Sequence, residues 1–186
     1  MANQVLDAIR ERRSTRKFLD KPVPKEVVEQ LLSAAVYSPS AMHKEPWRFV
    51  VISDRKKIKE LSDAAKRLYA SAGMPAKYLE RMQSKEDTMF HGAPLLILVF
   101  ADRKTTRWVD VDCGILAQTL FLAAQSLGLG SCFIGLAQSL NKDAGILREL
   151  GMPEGYELVA PLIFGYPAEK IPTPERSWKE KVLGWI

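Results

Sequence analysis

The stretch Leu95-Leu96-Ile97-Leu98-Val99-Phe100-Ala101 is apolar at every position and directly follows Gly92-Ala93-Pro94. A short apolar run that is bounded by glycine and proline is typical of a buried strand. It is the clearest strand in the sequence.

Three further stretches predict strands. Trp47 to Ile52 contains successive apolar residues, which predicts burial on both faces of that strand. Ser131 to Ile134 predicts a short strand. Glu157 to Phe164 predicts another, and because proline cannot donate a ladder hydrogen bond, Pro161 predicts a sheet edge or a bulge there.

Helices are predicted where apolar residues recur at helical spacing. Pro24 suits the first turn of one helix, and Asp54 is a candidate N-cap for another. The predicted helices are a first one ending near Arg12, one from Pro24 that Ser38-Pro39-Ser40 ends, Asp54 to about Tyr69, Ala76 to Thr88, Asp110 or Asp112 to Leu127, and Asp143 to Leu150.

Composition predicts a single domain spanning residues 1–186. The 186 residues are 47% hydrophobic and 26% charged, with a net charge of +5. Two cysteines and two histidines in no metal-binding spacing predict no metal site and no disulfide framework, which favours a cytoplasmic protein. Gly114 to Leu140 lacks charge, but Gly128 and Gly130 interrupt it, so we expect a core helix, a turn and a strand rather than a membrane span.

The last segment, Gly165 to Ile186, differs from the rest of the chain. Prolines keep its first part extended, and its end is rich in apolar residues that need cover. These residues are expected to pack on their own domain or to wrap a partner subunit, and the sequence leaves both alternatives open.

Three segments carry residues suited to binding a ligand. Arg10 to Lys17 is densely basic, and its arginines and Ser14 suit phosphate oxygens, although a solvated basic surface has the same composition. Ser38 to Trp47 combines small residues with polar ones, as a loop that approaches a flat ring would. Gly128 to Gly135 allows close backbone approach, but its glycine spacing and its position after a helix exclude the dinucleotide fingerprint.

Taken together, these segments resemble the nitroreductase family of flavoproteins over nearly the whole chain. The residues that carry the resemblance are Arg12-Arg13-Ser14-Thr15-Arg16, Ser38-Pro39-Ser40 with Pro46-Trp47, Gly92-Ala93-Pro94, Asp112 to Gly135, Gly165-Tyr166-Pro167 and Arg176. The resemblance implies an α+β three-layer sandwich with a central, mainly antiparallel sheet flanked by helices. It further implies a homodimer with a C-terminal tail, residues 165–186, that is exchanged with the partner subunit.

The resemblance also implies bound flavin mononucleotide (FMN) at the subunit interface. The cofactor-binding residues carried over are Arg12, Arg13, Ser14, Arg16, Pro39, Ser40, His43, Ile134, Gly135 and Arg176. Pro39 and Ser40 are expected to come from the other subunit. His43 and Glu45 stand where many relatives have Asn and Gln, and Pro174 stands where some have a second basic residue.

A variable helical cover, residues 55–91, is expected over the pocket. Tyr69, Met74, Tyr78, Met82 and Phe90 are its candidate pocket residues, with packing of the cover against the core as the alternative.

The function implied by the resemblance is reduction of nitroaromatics, quinones or similar electron-poor acceptors with NADH or NADPH, in a ping-pong cycle. Hydride is expected to pass through flavin N5, with Arg16 as an electrostatic stabiliser and no catalytic protein nucleophile. Two alternatives remain: a member of the same fold that only binds or consumes its flavin and, more remotely, a basic nucleic-acid-binding module.

Overall fold

The computed structural model describes residues 3–71, 80 and 82–186. The α-helices are α1 (Gln4–Glu11), α2 (Lys25–Ala35), α3 (Arg55–Ala70), α4 (Val109–Ser126) and α5 (Ala144–Glu149). The strands are β1 (Trp47–Ile52), β2 (Leu95–Asp102), β3 (Gly130–Phe133) and β4 (Tyr156–Gly165). Short 3₁₀ helices cover Ala41–His43, Gly135–Lys142 and Lys179–Lys181.

The four strands form one antiparallel sheet in the order β1-β2-β4-β3. The apolar run of β2 is fully buried, because its alternate side chains enter two separate hydrophobic cores. One core includes Leu31 of α2 and Leu116 of α4, and the other includes Leu61 of α3 and Leu140. The predicted three-layer α+β sandwich is therefore confirmed.

The position of β4 decides between the two alternatives predicted for the strand that carries Pro161, a sheet edge or a bulge. β4 is a central strand rather than an edge, and Pro161 pairs with Leu98 of β2. The register shifts near Val159, so the bulge lies two residues before the proline. Gln138 donates a hydrogen bond of 2.6 Å to the Val159 carbonyl, which satisfies the backbone at this irregularity.

The burial of β1 was predicted correctly only in part: Trp47 and Phe49 pack in one core and Val50 and Ile52 in the other, but the strand is not buried along its whole length. It has the predicted bounds, but it is an edge strand whose ends, Trp47 and Ile52, are buried while Arg48 and Val51 are exposed. The apolar run therefore indicated two covered faces, and it did not indicate that the edge position of β1 leaves part of the strand exposed.

Several predicted element ends shift by one or two residues. Pro24 is the N-cap of α2 rather than its first residue, and α4 begins at Val109, before either predicted aspartate. Residues 84–88 form bends and turns, so the helix predicted to reach Thr88 ends earlier; the rest of that prediction, apart from residues 80, 82 and 83, lies outside the described residues. Among the described helices, none is long and apolar enough to cross a membrane.

A buried lysine holds the later part of the cover against α3. Lys66 of α3 donates to the carbonyls of Ser84 (2.8 Å) and Glu86 (3.0 Å), and it pairs with Asp63 at 2.9 Å. A buried ammonium group requires such partners. These bonds fix residues 84–86 against α3 and so set the start of the turn that leads to β2.

Candidate functional site

The basic segment Arg12 to Arg16 leaves α1 and runs beside β3. Ser14 forms a parallel bridge with Ser131, and the Thr15 N–H donates to the Ser131 carbonyl at 2.9 Å. A Cβ placed on Gly130 would lie 2.7 Å from the Cβ of Thr15, so glycine at this position permits the close approach of the two segments. The segment is thus extended and fixed to the sheet.

The contacts of successive residues alternate along this extended segment. Glu11, Arg13 and Thr15 line a cavity of about 530 Å³ together with the start of the tail. Burial raises the pKa of the Cys132 thiol, and that effect is opposed by attraction to Arg16 and a hydrogen bond from Ser14. Such alternation follows from the period of two in extended backbone.

Guanidinium groups accumulate at the start of this segment. Desolvation lowers the pKa of Arg12, and repulsion by Arg13 and by Arg176 of the tail lowers it further. The Arg12 guanidinium also lies 5.9 Å from the ring centroid of Phe121. Within the described ranges, no carboxylate lies within 4.0 Å of these three arginines or of Arg16. This uncompensated positive charge suits an anion such as a phosphate ester.

Arg16 borders two adjoining hollows. It shares a cavity of about 140 Å³ with Ile134 and Gly135, and a second one of about 380 Å³ with Thr88 and His91. Three residues predicted to bind the cofactor are therefore brought together, although Arg16 lies more than a hundred positions from Ile134 and Gly135 in the sequence. Thr88 and His91 also line the smaller cavity, and sequence reasoning missed them.

A rigid turn presents Thr88 and His91 to these hollows. The Asp87 carboxylate accepts hydrogen bonds from the Phe90 N–H (2.7 Å) and the Gly92 N–H (3.0 Å). His91 and Gly92 have φ of 57° and 64°, in the left-handed region that disfavours residues with a side chain. An Asp followed closely by Gly92-Ala93-Pro94 was a detectable turn signal, and a histidine held in a strained turn is a frequent feature of functional sites.

The second group of predicted residues lies elsewhere in the same chain. Pro39, Ser40 and Ala41 line an apolar groove of about 280 Å³ against α4. The Asp112 carboxylate holds this loop by accepting from the Ala41 N–H at 3.0 Å, and Asp112 lies within the first turn of α4 rather than at its start. His43 is 89% exposed and has a positive φ of 55°. Within one chain, this loop shares no described cavity with Arg16.

Large apolar side chains remain exposed on one chain. α1 buries no residue, and α4 exposes Val111 and Ile115 beside the groove. In the tail, Trp178 and Trp185 contact each other at a centroid distance of 6.3 Å, but both are exposed. The end of the tail therefore does not pack into its own domain, and exposed apolar area of this extent is typical of an interaction surface.

The predicted pocket residues of the cover that the structure describes pack against the core to different extents. Phe90 is fully buried in the core, and Met82 is nearly so, which matches the packing alternative. Tyr69 is half-buried against the same core. Met74 and Tyr78 lie outside the described residues.

Known proteins match this chain in sequence and in fold. The family model described as nitroreductase family matches residues 9–166. The structure is similar to that of a nitroreductase with bound FMN from Bacteroides fragilis, at 32% identity and a TM-score of 0.86, with 100% of each chain covered.

Two curated relatives are each 32% identical to the chain. One, from Methanothermobacter thermautotrophicus, carries a provisional assignment as an NADH dehydrogenase/NAD(P)H nitroreductase, with 95% of this chain and 87% of the relative covered. The other is a 5,6-dimethylbenzimidazole synthase from Rhodospirillum rubrum, with 97% and 88% covered.

Proposed function

This chain belongs to the nitroreductase family of oxidoreductases, and we propose that it binds FMN and uses NADH or NADPH to reduce electron-poor acceptors such as nitroaromatics and quinones. The observation that carries the proposal is the cluster of arginines without carboxylate partners beside the cavity of Arg16, Ile134 and Gly135. The FMN-bound relative from Bacteroides fragilis supports the choice of anion.

The available donors fit the chemistry of FMN. Arg12, Ser14, Arg16 and Arg176 would hold the phosphate and the pyrimidine side, since guanidinium and hydroxyl groups donate to phosphate and carbonyl oxygens. The backbone at Ile134 and Gly135 would approach the ring. Pro39, Ser40 and His43 would complete the site from a second copy of the chain.

The protein contributes binding and electrostatics to the reaction. When bound, FMN would supply the redox chemistry, taking a hydride from the nicotinamide and passing reducing equivalents to the acceptor. Arg16, which lines both hollows, would favour negative charge on the reduced ring. The rigid turn at Asp87 to Gly92 would keep the wall of the site in place.

We also propose a homodimer in which two copies complete each site. Three observations support it: the two groups of site residues lie apart in one chain, α1 and α4 expose apolar side chains, and the tail end lies unburied. Sedimentation equilibrium at micromolar concentration should give twice the mass of the chain. A monomeric mass would contradict this part of the proposal.

The visible spectrum of the purified protein tests the cofactor. A flavin spectrum, with FMN identified by mass after release, is expected together with oxidation of NADH or NADPH when a quinone or nitroaromatic is added. A preparation that stays colourless in excess FMN would overturn the assignment.

A matched pair of variants tests the role of Arg16. Arg16→Ala should weaken FMN binding about tenfold or more, because it removes a charge-assisted contact, with little effect on folding. Lys25→Ala is the control, since Lys25 is exposed on α2 and pairs only with Glu29 of the same helix among the described ion pairs. Equal FMN occupancy in Arg16→Ala and the wild type would remove Arg16 from the site.

A second candidate is a member of the family that consumes its flavin. The relative named as a 5,6-dimethylbenzimidazole synthase favours keeping it, because that name denotes synthesis rather than reduction of an acceptor. Sustained NAD(P)H oxidation with FMN recovered intact supports the reductase. Loss of FMN without turnover of an external acceptor supports the second candidate.

A further inference from the structure

The guanidinium group of Arg13 is occupied by backbone carbonyls. Its Nε donates to the carbonyl of Pro172 at 3.3 Å, and its two terminal nitrogens donate to the carbonyls of Arg12 and Arg10. A planar fork with several N–H groups can bridge acceptors on separate segments, which a single ammonium group does less well. Arg13 thereby links the end of α1 to the tail.

The start of the tail runs antiparallel to the segment that follows Arg13. Leu19 N–H donates to the Tyr166 carbonyl (2.8 Å), and Ala168 N–H donates to the Lys17 carbonyl (3.0 Å). Phe18 and Pro167 form a bridge, and Lys17 pairs with Glu169 at 2.9 Å. This ladder holds the tail as far as Glu169.

The bond from Arg13 to Pro172 is the last tail-to-body hydrogen bond found along the described part of the tail. Beyond it, the hydrogen bonds of the tail join tail residues to each other. Arg176, four positions further on, nevertheless comes close enough to repel Arg12. An unanchored chain loses conformational entropy when one of its side chains binds a ligand. An anchor just before Arg176 reduces that loss and so favours binding by Arg176.

We propose that Arg13 is a positioning residue: it anchors the tail at Pro172, four residues before Arg176, and so restricts Arg176 to the phosphate end of the site. Arg13 acts through Arg176 and does not itself bind the phosphate. The inference rests on the proposed FMN site for its effect on the cofactor, but the anchoring of the tail is independent of FMN.

A double-mutant cycle separates anchoring from direct contact. FMN dissociation constants are measured for the wild type, Arg13→Ala, Arg176→Ala and the double variant, with Arg10→Ala as an exposed basic control. Arg13→Ala should weaken FMN binding about tenfold, and the double variant should bind no more weakly than Arg176→Ala alone, since the two residues act in one chain of contacts. Riboflavin, which lacks the phosphate, should bind equally to Arg13→Ala and the wild type.

Hydrogen exchange on the flavin-free protein provides the second readout. Arg13→Ala should speed exchange in residues 168–177 while the sheet stays protected, and Arg13→Lys should give an intermediate result that is measurable even if the alanine variant folds poorly. Independent effects of Arg13→Ala and Arg176→Ala on FMN affinity would overturn the proposal. Unchanged hydrogen-exchange rates in residues 168–177 of Arg13→Ala would also overturn it. If the wild type binds no FMN, the proposed function fails while the exchange result still decides whether Arg13 anchors the tail.

Discussion

The substitution Gly130→Ala should damage both stability and cofactor binding through one steric contact. The added Cβ would lie 2.7 Å from both Cβ and Cγ2 of Thr15, whereas carbon atoms in contact normally stay ~3.5–4.0 Å apart. Thr15 is only 4% exposed, so its side chain has little room to turn away. Relief requires the basic segment to move away from β3 by about 1 Å.

The energetic cost follows from that displacement. Overpacking of a tight site costs about 1–3 kcal/mol. For a chain of this size, a loss of ~2 kcal/mol lowers Tm by about 4–8 °C. Ser14 and Arg16 move together with Thr15. Because a displacement of about 1 Å commonly lowers affinity or rate by such a factor, the FMN dissociation constant should rise about tenfold or more.

Differential scanning calorimetry and a flavin-binding titration measure the two effects. The matched control is Thr15→Gly, which removes all three atoms that the new methyl group meets. In the Gly130→Ala background, Thr15→Gly should cost less stability than it does in the wild type, because it relieves the clash. Unchanged Tm and FMN affinity in Gly130→Ala, or strict additivity of the two substitutions, would refute the reasoning.

Two further predictions concern the packing of the cover. Lys66→Met should lower the free energy of unfolding by about 1–3 kcal/mol, measured in urea, because it removes the buried ammonium group that holds the carbonyls of Ser84 and Glu86 against α3. Although partial burial acts in the opposite direction, hydrogen bonds from Lys59 and Lys66 lower the pKa of Asp63 in the folded protein. This contribution to stability is present above the usual carboxyl pKa and is lost as pH falls below about 4, so Asp63→Asn should flatten the pH dependence of Tm in acid. Identical acid profiles for Asp63→Asn and the wild type would contradict that assignment.

The sequence predicted the positions of the strands better than it predicted their burial and the place of the bulge. The β2 run was located almost to the residue, because burial on both faces leaves an unbroken apolar pattern. The same pattern overstated the burial of β1, whose two faces each contact a core but which leaves Arg48 and Val51 exposed at the edge of the sheet. Pro161 signalled a disruption of the ladder, but the bulge lies at Val159, where Gln138 can satisfy the backbone.

For the candidate site too, local sequence patterns did not reveal contacts between distant residues. Asp112 was predicted only as a possible start of a helix, yet its carboxylate accepts a hydrogen bond from the Ala41 N–H across 71 positions of sequence. His91 was passed over because a single histidine carries no pattern. Its role emerges from the turn that Asp87 closes and from the cavity that it shares with Arg16. Long-range contacts of this kind have no periodicity that a local rule detects.

The arginine-rich segment shows this limit most clearly, because its arginines are the same residue type but have different surroundings in the structure. Read as sequence, Arg12, Arg13 and Arg16 are equivalent candidates for a phosphate. The bridge between Ser14 and Ser131 makes the backbone extended, and an extended backbone directs neighbouring side chains to different surroundings. Arg13 is thereby directed to the tail carbonyl and Arg16 to the cavity of Gly135. Pairing with β3, more than a hundred residues away in the sequence, thus determines what each arginine contacts. A change in β3 should therefore alter the contacts of all of these arginines together.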